Sequence, residues 1–361
     1  MKIIECKLAH YEVPLKTVFK TALHAQNKAN GWIVRLKSDQ NHEGYGEAIP
    51  SLRVTGDSDA SIFGVLTQVI FPAIVQHDFE NIGKFDDFVS KLLIGNTAAK
   101  NAVSQAALDL IIKDRQTSLQ HFFGSPKTHI TTDYTLSIND ESSMAVQAEK
   151  LIRAGFSTLK IKLGDSPIQE EVAKLQQLAK EFPKVVFRVD ANQAWNIAKS
   201  RQFDQLAAAA NLPIACIEQP LPVGYEDGYA DLTSSSHFPI ILDESIHDFN
   251  DARKLRPGID FTGYNVKLEK TAGISQAKAL LDYSESLDLP IMVGCMIESN
   301  IGIAFAAAMA SSYANVRFID LDSALMFQTE IFKGWLTDEA NGYRFNEQFV
   351  ANDALRELPW Q

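Results

Sequence analysis

Charged residues recur at the ends of short apolar runs in the second two thirds of this chain. In order they are Lys160-Ile-Lys162, Arg188-Val-Asp190-Ala-Asn192, Glu218-Gln-Pro220, Asp243-Glu-Ser245, Asn265-Val-Lys267 and Asp320-Leu-Asp322. One acid after a strand is ordinarily a helix cap or a solvated charge. Acids on three successive strands converge on one point, where bare carboxylates repel strongly. A divalent cation removes the conflict. All-oxygen ligation favours Mg²⁺, with Mn²⁺ as a substitute, over zinc or copper, and Asp190, Glu218 and Asp243 are the expected ligands of one ion per subunit. Lys162 and Lys267 are the expected bases, since a neutral lysine accepts protons. Lys160 and the cation nearby would lower the pKa of Lys162 toward the working range. Two bases on opposite faces of one carbon suit an inversion of configuration. A carboxylate bound to the ion makes its α-proton removable, because the enediolate that forms is stabilised.

These residues need a frame that brings them together. Apolar runs end near Leu136, Ile161, Val189, Ile217, Leu242, Val266, Val293 and Ile319, at intervals of 24 to 28 residues. Helical patterns lie between most of them, for example 144–154, 168–180, 198–209 and 274–286. Eight strand–helix units predict a (β/α)₈ barrel, whose site lies at the carboxyl ends of the strands. The second and sixth strands are four apart in such a ring, which sets Lys162 and Lys267 across the mouth from each other. A doubly wound open sheet is the alternative, without a GxGxxG to support it. The first 125 residues read differently. Strands are expected over 1–14 and 31–38 and at Gly44-Tyr-Gly-Glu-Ala-Ile-Pro, and helices over 60–76, 84–93 and 98–115, giving an α+β lobe. Polar segments 16–30 and 51–58 are long enough to be mobile loops. The final residues, with Trp335, Tyr343 and Phe345, are expected to return to the first lobe. The expected organisation is therefore an α+β capping domain over 1–125, joined by 325–361, and a barrel over 126–324.

Composition narrows the function. Thirty-four basic against forty-five acidic residues give a formal charge of −11 and no Lys/Arg cluster, so nucleic acid is not an expected partner. The longest apolar stretch, 301–310, falls short of a membrane span, and the amino terminus reads as a strand rather than a signal peptide. Three cysteines without CxxC spacing suggest a reducing compartment, and a cytoplasmic location is expected.

Taken together, the five motifs from Lys160-Ile-Lys162 to Asn265-Val-Lys267 resemble the muconate-lactonising subgroup of the enolase superfamily. The resemblance covers nearly the whole chain, including Gly46-Glu-Ala in the capping lobe. It implies the lysine-plus-magnesium chemistry just described. Lys160 resembles the first lysine of the family motif, which touches the substrate carboxylate and is not itself a base. Within the subgroup, Asp320-Leu-Asp322 is similar to the Asp-x-Asp by which dipeptide epimerases take the substrate's α-ammonium. Residues i and i+2 share a face of a strand, and two carboxylates suit a cation with three donors. Cycloisomerases and o-succinylbenzoate synthases have no ammonium to satisfy such a pair.

The family also implies that Thr135 donates toward the ligand and that Cys295 and Glu298 stand just past the seventh strand, Cys295 as a pocket wall. Taken alone, Cys295 reads as a packed thiol rather than a nucleophile. Phe19-Lys-Thr-Ala-Leu-His24 resembles the loop that carries, in Ala-Glu epimerases, an arginine for the substrate's side-chain carboxylate. His24 stands there instead, without a guanidinium's bidentate fork, so the expected substrate is Ala followed by a small, apolar or uncharged polar residue. The alternatives are an Ala-Glu epimerase, another activity of the subgroup such as an N-acylamino-acid racemase, a Schiff-base aldolase, or a cation-stabilised binding protein. Capped barrels of this kind commonly self-associate, so a homo-oligomer is expected. A place in murein peptide metabolism stays open.

Overall fold

The computed structural model describes residues 1–20, 25–125, 127–137, 141–256 and 258–361. An antiparallel sheet opens the chain, with β1 (Ile3–Lys20), β2 (Ala25–Ser38) and β3 (Glu43–Ala48) in that order. The expected loop over 16–30 is a correction: its described residues extend β1 and β2. After a register shift beyond Pro14, Phe19 pairs with Gln26 and Lys20 with Ala25. Each arm satisfies the other's backbone groups while polar side chains face water, so polarity alone misread the segment as irregular.

Helical turns follow over Asp59–Val65, Leu66–Ile70 and Phe71–Ile74, the middle one a π-helix. Longer helices span Ile82–Ser90 and Thr97–Asp114. The Thr97–Asp114 helix lies directly on β3. A Cβ at Gly44 would sit 2.1 Å from the Ala106 carbonyl oxygen, and one at Gly46 would sit 2.0 Å from that of Ala102. Only glycine permits this approach.

The chain then passes through β4 (His129–Thr131) into eight parallel strands. They are β5 (Tyr134–Leu136), β6 (Thr158–Lys162), β7 (Val186–Asp190), β8 (Ile214–Glu218), β9 (Ile240–Leu242), β10 (Gly263–Val266), β11 (Ile291–Gly294) and β12 (Val316–Asp320). They pair in sequential order, and every expected strand end lies within a residue of the observed one. At the seam between β5 and β12, Asp133 N donates to Ile319 O at 3.1 Å and Leu321 N donates to Thr132 Oγ1 at 2.8 Å. The barrel is thus nearly closed, with an α+β capping lobe beside it. Cys216, Ile241 and Met292 form a small buried cluster of their own, while their sequence neighbours Ile217, Leu242 and Val293 join the large core. Period-two alternation places the small cluster in the barrel interior, which is packed rather than open.

The carboxyl-terminal segment supplies β13 (Gly334–Glu339) and β14 (Gly342–Val350), which pair with β4. It also touches the first lobe. Trp335 Nε1 donates to Asp109 Oδ1 at 2.9 Å, Phe349 stacks on Tyr45, and Gln361 exchanges backbone hydrogen bonds with Leu8. The apolar 301–310 run forms a helix, Asn300–Ala310, buried between lobe and barrel. Glu47 of β3 reaches the amino end of that helix, accepting from Ser299 N at 3.1 Å, Ser299 Oγ at 2.9 Å and Gly302 N at 2.8 Å, as well as from Tyr11 Oη. A negative charge there satisfies orphan N–H groups and opposes the helix dipole. Among the described residues, no helix is long and apolar enough to cross a membrane.

Candidate active site

All the strand-end residues picked out by type converge on the carboxyl end of the barrel. Asp190 ends β7, Glu218 ends β8, and Asp243 follows β9; each is buried. Lysines approach them closely. Lys162 Nζ, at the end of β6, lies 2.6 Å from Asp190 Oδ2, and Lys267 Nζ, just past β10, lies 2.7 Å from Asp243 Oδ2. Lys270 holds the other Asp243 oxygen at 2.6 Å and also donates to three backbone carbonyls. Lys160 Nζ stands between strands, 2.7 Å from Glu218 Oε2, 3.1 Å from Asp190 Oδ2 and 2.7 Å from Asp320 Oδ2. Burial opposes its charge, but Asp320, Glu218 and Asp190 outweigh burial and hold the ammonium well above the usual lysine range.

Opposite the acids of β7 to β9 stands a second carboxylate group. Asp133, Asp320 and Asp322 each offer an oxygen within 4.8 Å of the others. Asp133, just before β5, is neutralised by Arg188 Nη1 at 2.8 Å, and the same nitrogen donates to Ile319 O at 2.9 Å. Asp322 accepts from Thr135 N at 2.6 Å and has no cation of its own among the described residues. Burial, then the charge of Asp320, pushes its carboxyl up to about 7. Sequence reasoning assigned no role to Asp133, Arg188 or Lys270. A charge beside or inside a short apolar strand was the available signal, and nothing in the sequence indicated that they pair.

A cavity of about 410 Å³ joins these groups to the capping lobe. Lys160, Lys162, Lys267, Thr135, Cys295, Asp320 and Asp322 line its floor, and Phe19, Leu52, Val54, Met296, Ile297 and Met326 its walls. Phe19, on the arm of β1, brings its ring centroid within 5.8 Å of Lys162 Nζ. Cys295 Sγ donates to Asp320 O at 3.3 Å, and burial keeps the thiol protonated. Glu298 lies just behind, its carboxyl pushed up to about 8 by burial and then by Glu47. His24 lies outside the described residues.

The donor set fits a hard divalent ion. Among the described residues, seven buried carboxylates meet here: Asp133, Asp190, Glu218, Asp243, Glu244, Asp320 and Asp322. Five buried cations face them: Lys160, Lys162, Lys267, Lys270 and Arg188. Carboxyl groups therefore outnumber cations at this end of the barrel. Oxygens without a hydrogen-bond donor include Glu218 Oε2, Glu244 Oε2 and Asn192 Oδ1 on the β7–β9 side, the first balanced electrostatically by Lys160, as well as Asn265 Oδ1, Glu298 Oε2 and, in the opposite group, Asp133 Oδ1. Oxygen-only surroundings of this kind suit magnesium-like cations.

Known proteins are similar to this chain in sequence and fold. Residues 3–124 match the mandelate racemase / muconate lactonizing enzyme N-terminal domain, and residues 143–348 match the enolase C-terminal domain-like family. The L-Ala-D/L-Glu epimerase of Bacillus subtilis (strain 168) is 35% identical over 338 residues, covering 93% of this chain and 92% of its own. A substrate-liganded complex of the L-Ala-D/L-Glu epimerase from Bacillus subtilis superposes with a TM-score of 0.93 at 33% identity, covering 97% of this chain and 98% of that one. The dipeptide epimerase from Enterococcus faecalis V583, complexed with Mg and the dipeptide L-Leu-L-Tyr, gives 0.91 at 30% identity over 97% and 98%. With a nearly closed eight-strand barrel, an α+β cap and both domain matches in register, this chain belongs to the enolase superfamily, in its mandelate racemase and muconate lactonizing branch.

Proposed function

We propose that the chain is a Mg²⁺-dependent dipeptide epimerase that inverts the α-carbon of the second residue of Ala-Xaa dipeptides. The observation that carries this reading is the placement of Lys162 and Lys267 on strands four apart in the ring, both lining the cavity that also holds Asp320 and Asp322. A substrate with its carboxylate on the side of Asp190, Glu218 and Asp243 and its ammonium toward Asp320 and Asp322 would span the mouth, with the α-carbon between the two lysines. One lysine removes the α-proton and the other delivers a proton to the opposite face, and exchange of roles runs the reaction backward. Asp190, Glu218 and Asp243 would hold the ion, which when bound supplies positive charge that stabilises the carboxylate as the α-proton leaves. Asp133, Asp320 and Asp322 form a second all-oxygen group, of which this reading commits Asp320 and Asp322 to the substrate's ammonium.

Dipeptides are favoured over N-acylated amino acids and muconates by Asp322, a buried carboxylate without its own cation among the described residues. A zwitterionic ligand supplies the missing ammonium, whereas an acyl group leaves the carboxylate unsatisfied. For Xaa, the walls formed by Phe19, Leu52, Val54, Met296, Ile297 and Met326 support a side chain that begins with hydrocarbon, so Ala-Ala and Ala-Val are suitable first substrates. Similarity to relatives named as dipeptide epimerases supports the reaction class. The test is incubation of dipeptides in D₂O with Mg²⁺, following loss of the second residue's α-proton signal by NMR. Exchange with appearance of the epimer is expected. Failure of a broad dipeptide set to exchange, with turnover of N-acylamino acids instead, would overturn the reading.

A further inference from the structure

Among the described residues, four cations line the cavity, and three of them are taken. Lys160, Lys162 and Lys267 each hold a carboxylate within 2.7 Å. The fourth, Arg53, has no carboxylate partner among the described residues. Its position follows from the loop that carries it. Ser51 O accepts from Val54 N at 3.3 Å, Thr55 N at 3.0 Å and Gly56 N at 2.9 Å, so residues 51–56 fold tightly over a single carbonyl. Gly56 turns the chain at φ +78°, Ser51 bridges to Asp57, and buried Asp57 accepts from Ala98 N at the head of the Thr97–Asp114 helix at 3.1 Å. A closed loop with a pinned base presents the exposed Arg53 from its outer part. The nearby acid Asp59 is engaged elsewhere, with Trp32 Nε1 at 3.1 Å and with Asn30.

A guanidinium at a cavity mouth whose neighbouring acids bond elsewhere is matched by an anion on the ligand, and its fork suits a carboxylate. Resting on the epimerase reading, which commits the substrate's terminal carboxylate and ammonium to the barrel floor, the only further place for an anion is the side chain of Xaa. We propose that Arg53 is a specificity-determining residue that receives the side-chain carboxylate of the dipeptide's second residue, so that the substrate range includes acidic Xaa such as Glu. The histidine at position 24 argued for an uncharged Xaa because that loop lacks an arginine. Arg53 brings the same chemistry from the second loop, while the apolar walls take the methylene stem.

The test compares Ala-Glu, Ala-Gln and Ala-Val on the Mg²⁺-loaded wild-type enzyme and on Arg53→Leu and Arg53→Glu, by α-proton exchange in D₂O. The ratio of kcat/KM for Ala-Glu over Ala-Val should fall about tenfold or more in Arg53→Leu, the scale of a charge-assisted hydrogen bond partly exposed to water. The loss should lie mainly in KM. Ala-Gln, of the same shape but neutral, should respond much less, and Arg53→Glu should lower Ala-Glu relative to Ala-Val further than Arg53→Leu does. An unchanged ratio in both variants, with Ala-Val still exchanged, would overturn the role of Arg53 and leave the epimerase reading standing. Wild-type enzyme that exchanges none of the three dipeptides would overturn both.

Discussion

Lys160 Nζ on the second barrel strand lies 2.7 Å from Asp320 Oδ2 on the eighth. The pair reaches across β5, the strand at the seam, and the same ammonium extends to Glu218 and Asp190. One lysine therefore ties the side of the mouth proposed for the ion to the side proposed for the substrate's ammonium.

Replacing Asp322 with Asn should weaken that second side selectively. The side-chain amide would keep an acceptor for Thr135 N while losing the charge that faces an ammonium. The expected result is a fall in kcat/KM for Ala-Ala of about 10- to 100-fold, carried mostly by KM, as for loss of a charge-assisted hydrogen bond. N-acetyl-Ala-Ala, which lacks the ammonium, should be a poor substrate of the wild type and lose little further in the variant. Steady-state kinetics on the two substrates decides it.

Each base should be separately indispensable. Lys162→Ala and Lys267→Ala are expected to lower epimerisation at least about 1,000-fold, within the usual span for removing a general acid or base and its partner step. One variant should still wash deuterium into a single stereoisomer, because the remaining lysine reaches only one face. NMR exchange from enantiopure L,L- and L,D-dipeptides separates the faces, and full epimerisation by either variant would refute the two-base assignment.

Removal of the divalent ion gives a third expected outcome. EDTA should abolish turnover, and Mg²⁺ or Mn²⁺ should restore it where K⁺ does not. The ion should also raise the midpoint of thermal unfolding, because it binds the folded arrangement of acids and not the unfolded chain. Asp190→Asn or Glu218→Gln should remove most of that rise.

A pH effect on stability is expected at the joint of lobe and barrel. Asp86, buried on the Ile82–Ser90 helix, accepts from Ser275 N at 2.9 Å at the start of the Ile274–Ser286 helix. Burial pushes its carboxyl up to about 6 from an ordinary 3.8. Such a group binds its proton more tightly folded than unfolded, so its favourable contribution is complete below about pH 4 and is lost as pH rises through about 6. Relative to Asp86→Asn, the wild type should therefore lose on the order of 2–3 kcal/mol between about pH 4 and 7. Urea unfolding of both proteins at several pH values in that range measures the difference. Parallel curves would rule the effect out.

The barrel was legible because its strands bear charges at their ends and its units repeat with nearly constant spacing. Asp190, Glu218 and Lys267 could be placed from their neighbours alone. Asp133 and Arg188 could not, since one precedes a three-residue strand, the other lies within a strand, and their pairing depends on which strands close the ring. The 16–30 segment was misread for another reason. Lys16, Lys20, Gln26, Asn27, Lys28 and Asn30 look like loop residues, yet Leu15 and Ala29 are buried and Phe19 packs against the core, which gives the paired arms the apolar side that their composition hides. Arg53 was invisible in sequence because an arginine in a polar stretch has no signature until the fold sets it over a cavity.

Glu47 has a bearing on how this architecture can be engineered. The head of a barrel helix is sealed by a carboxylate that belongs to the other lobe, so neither half presents a finished surface when cut free. A barrel excised for grafting would expose bare amides at residue 299 and beyond, and a cap transplanted from a relative would have to bring its own acid to the same spot. Chimaeras of this scaffold should therefore be judged first on whether that one graft junction is preserved.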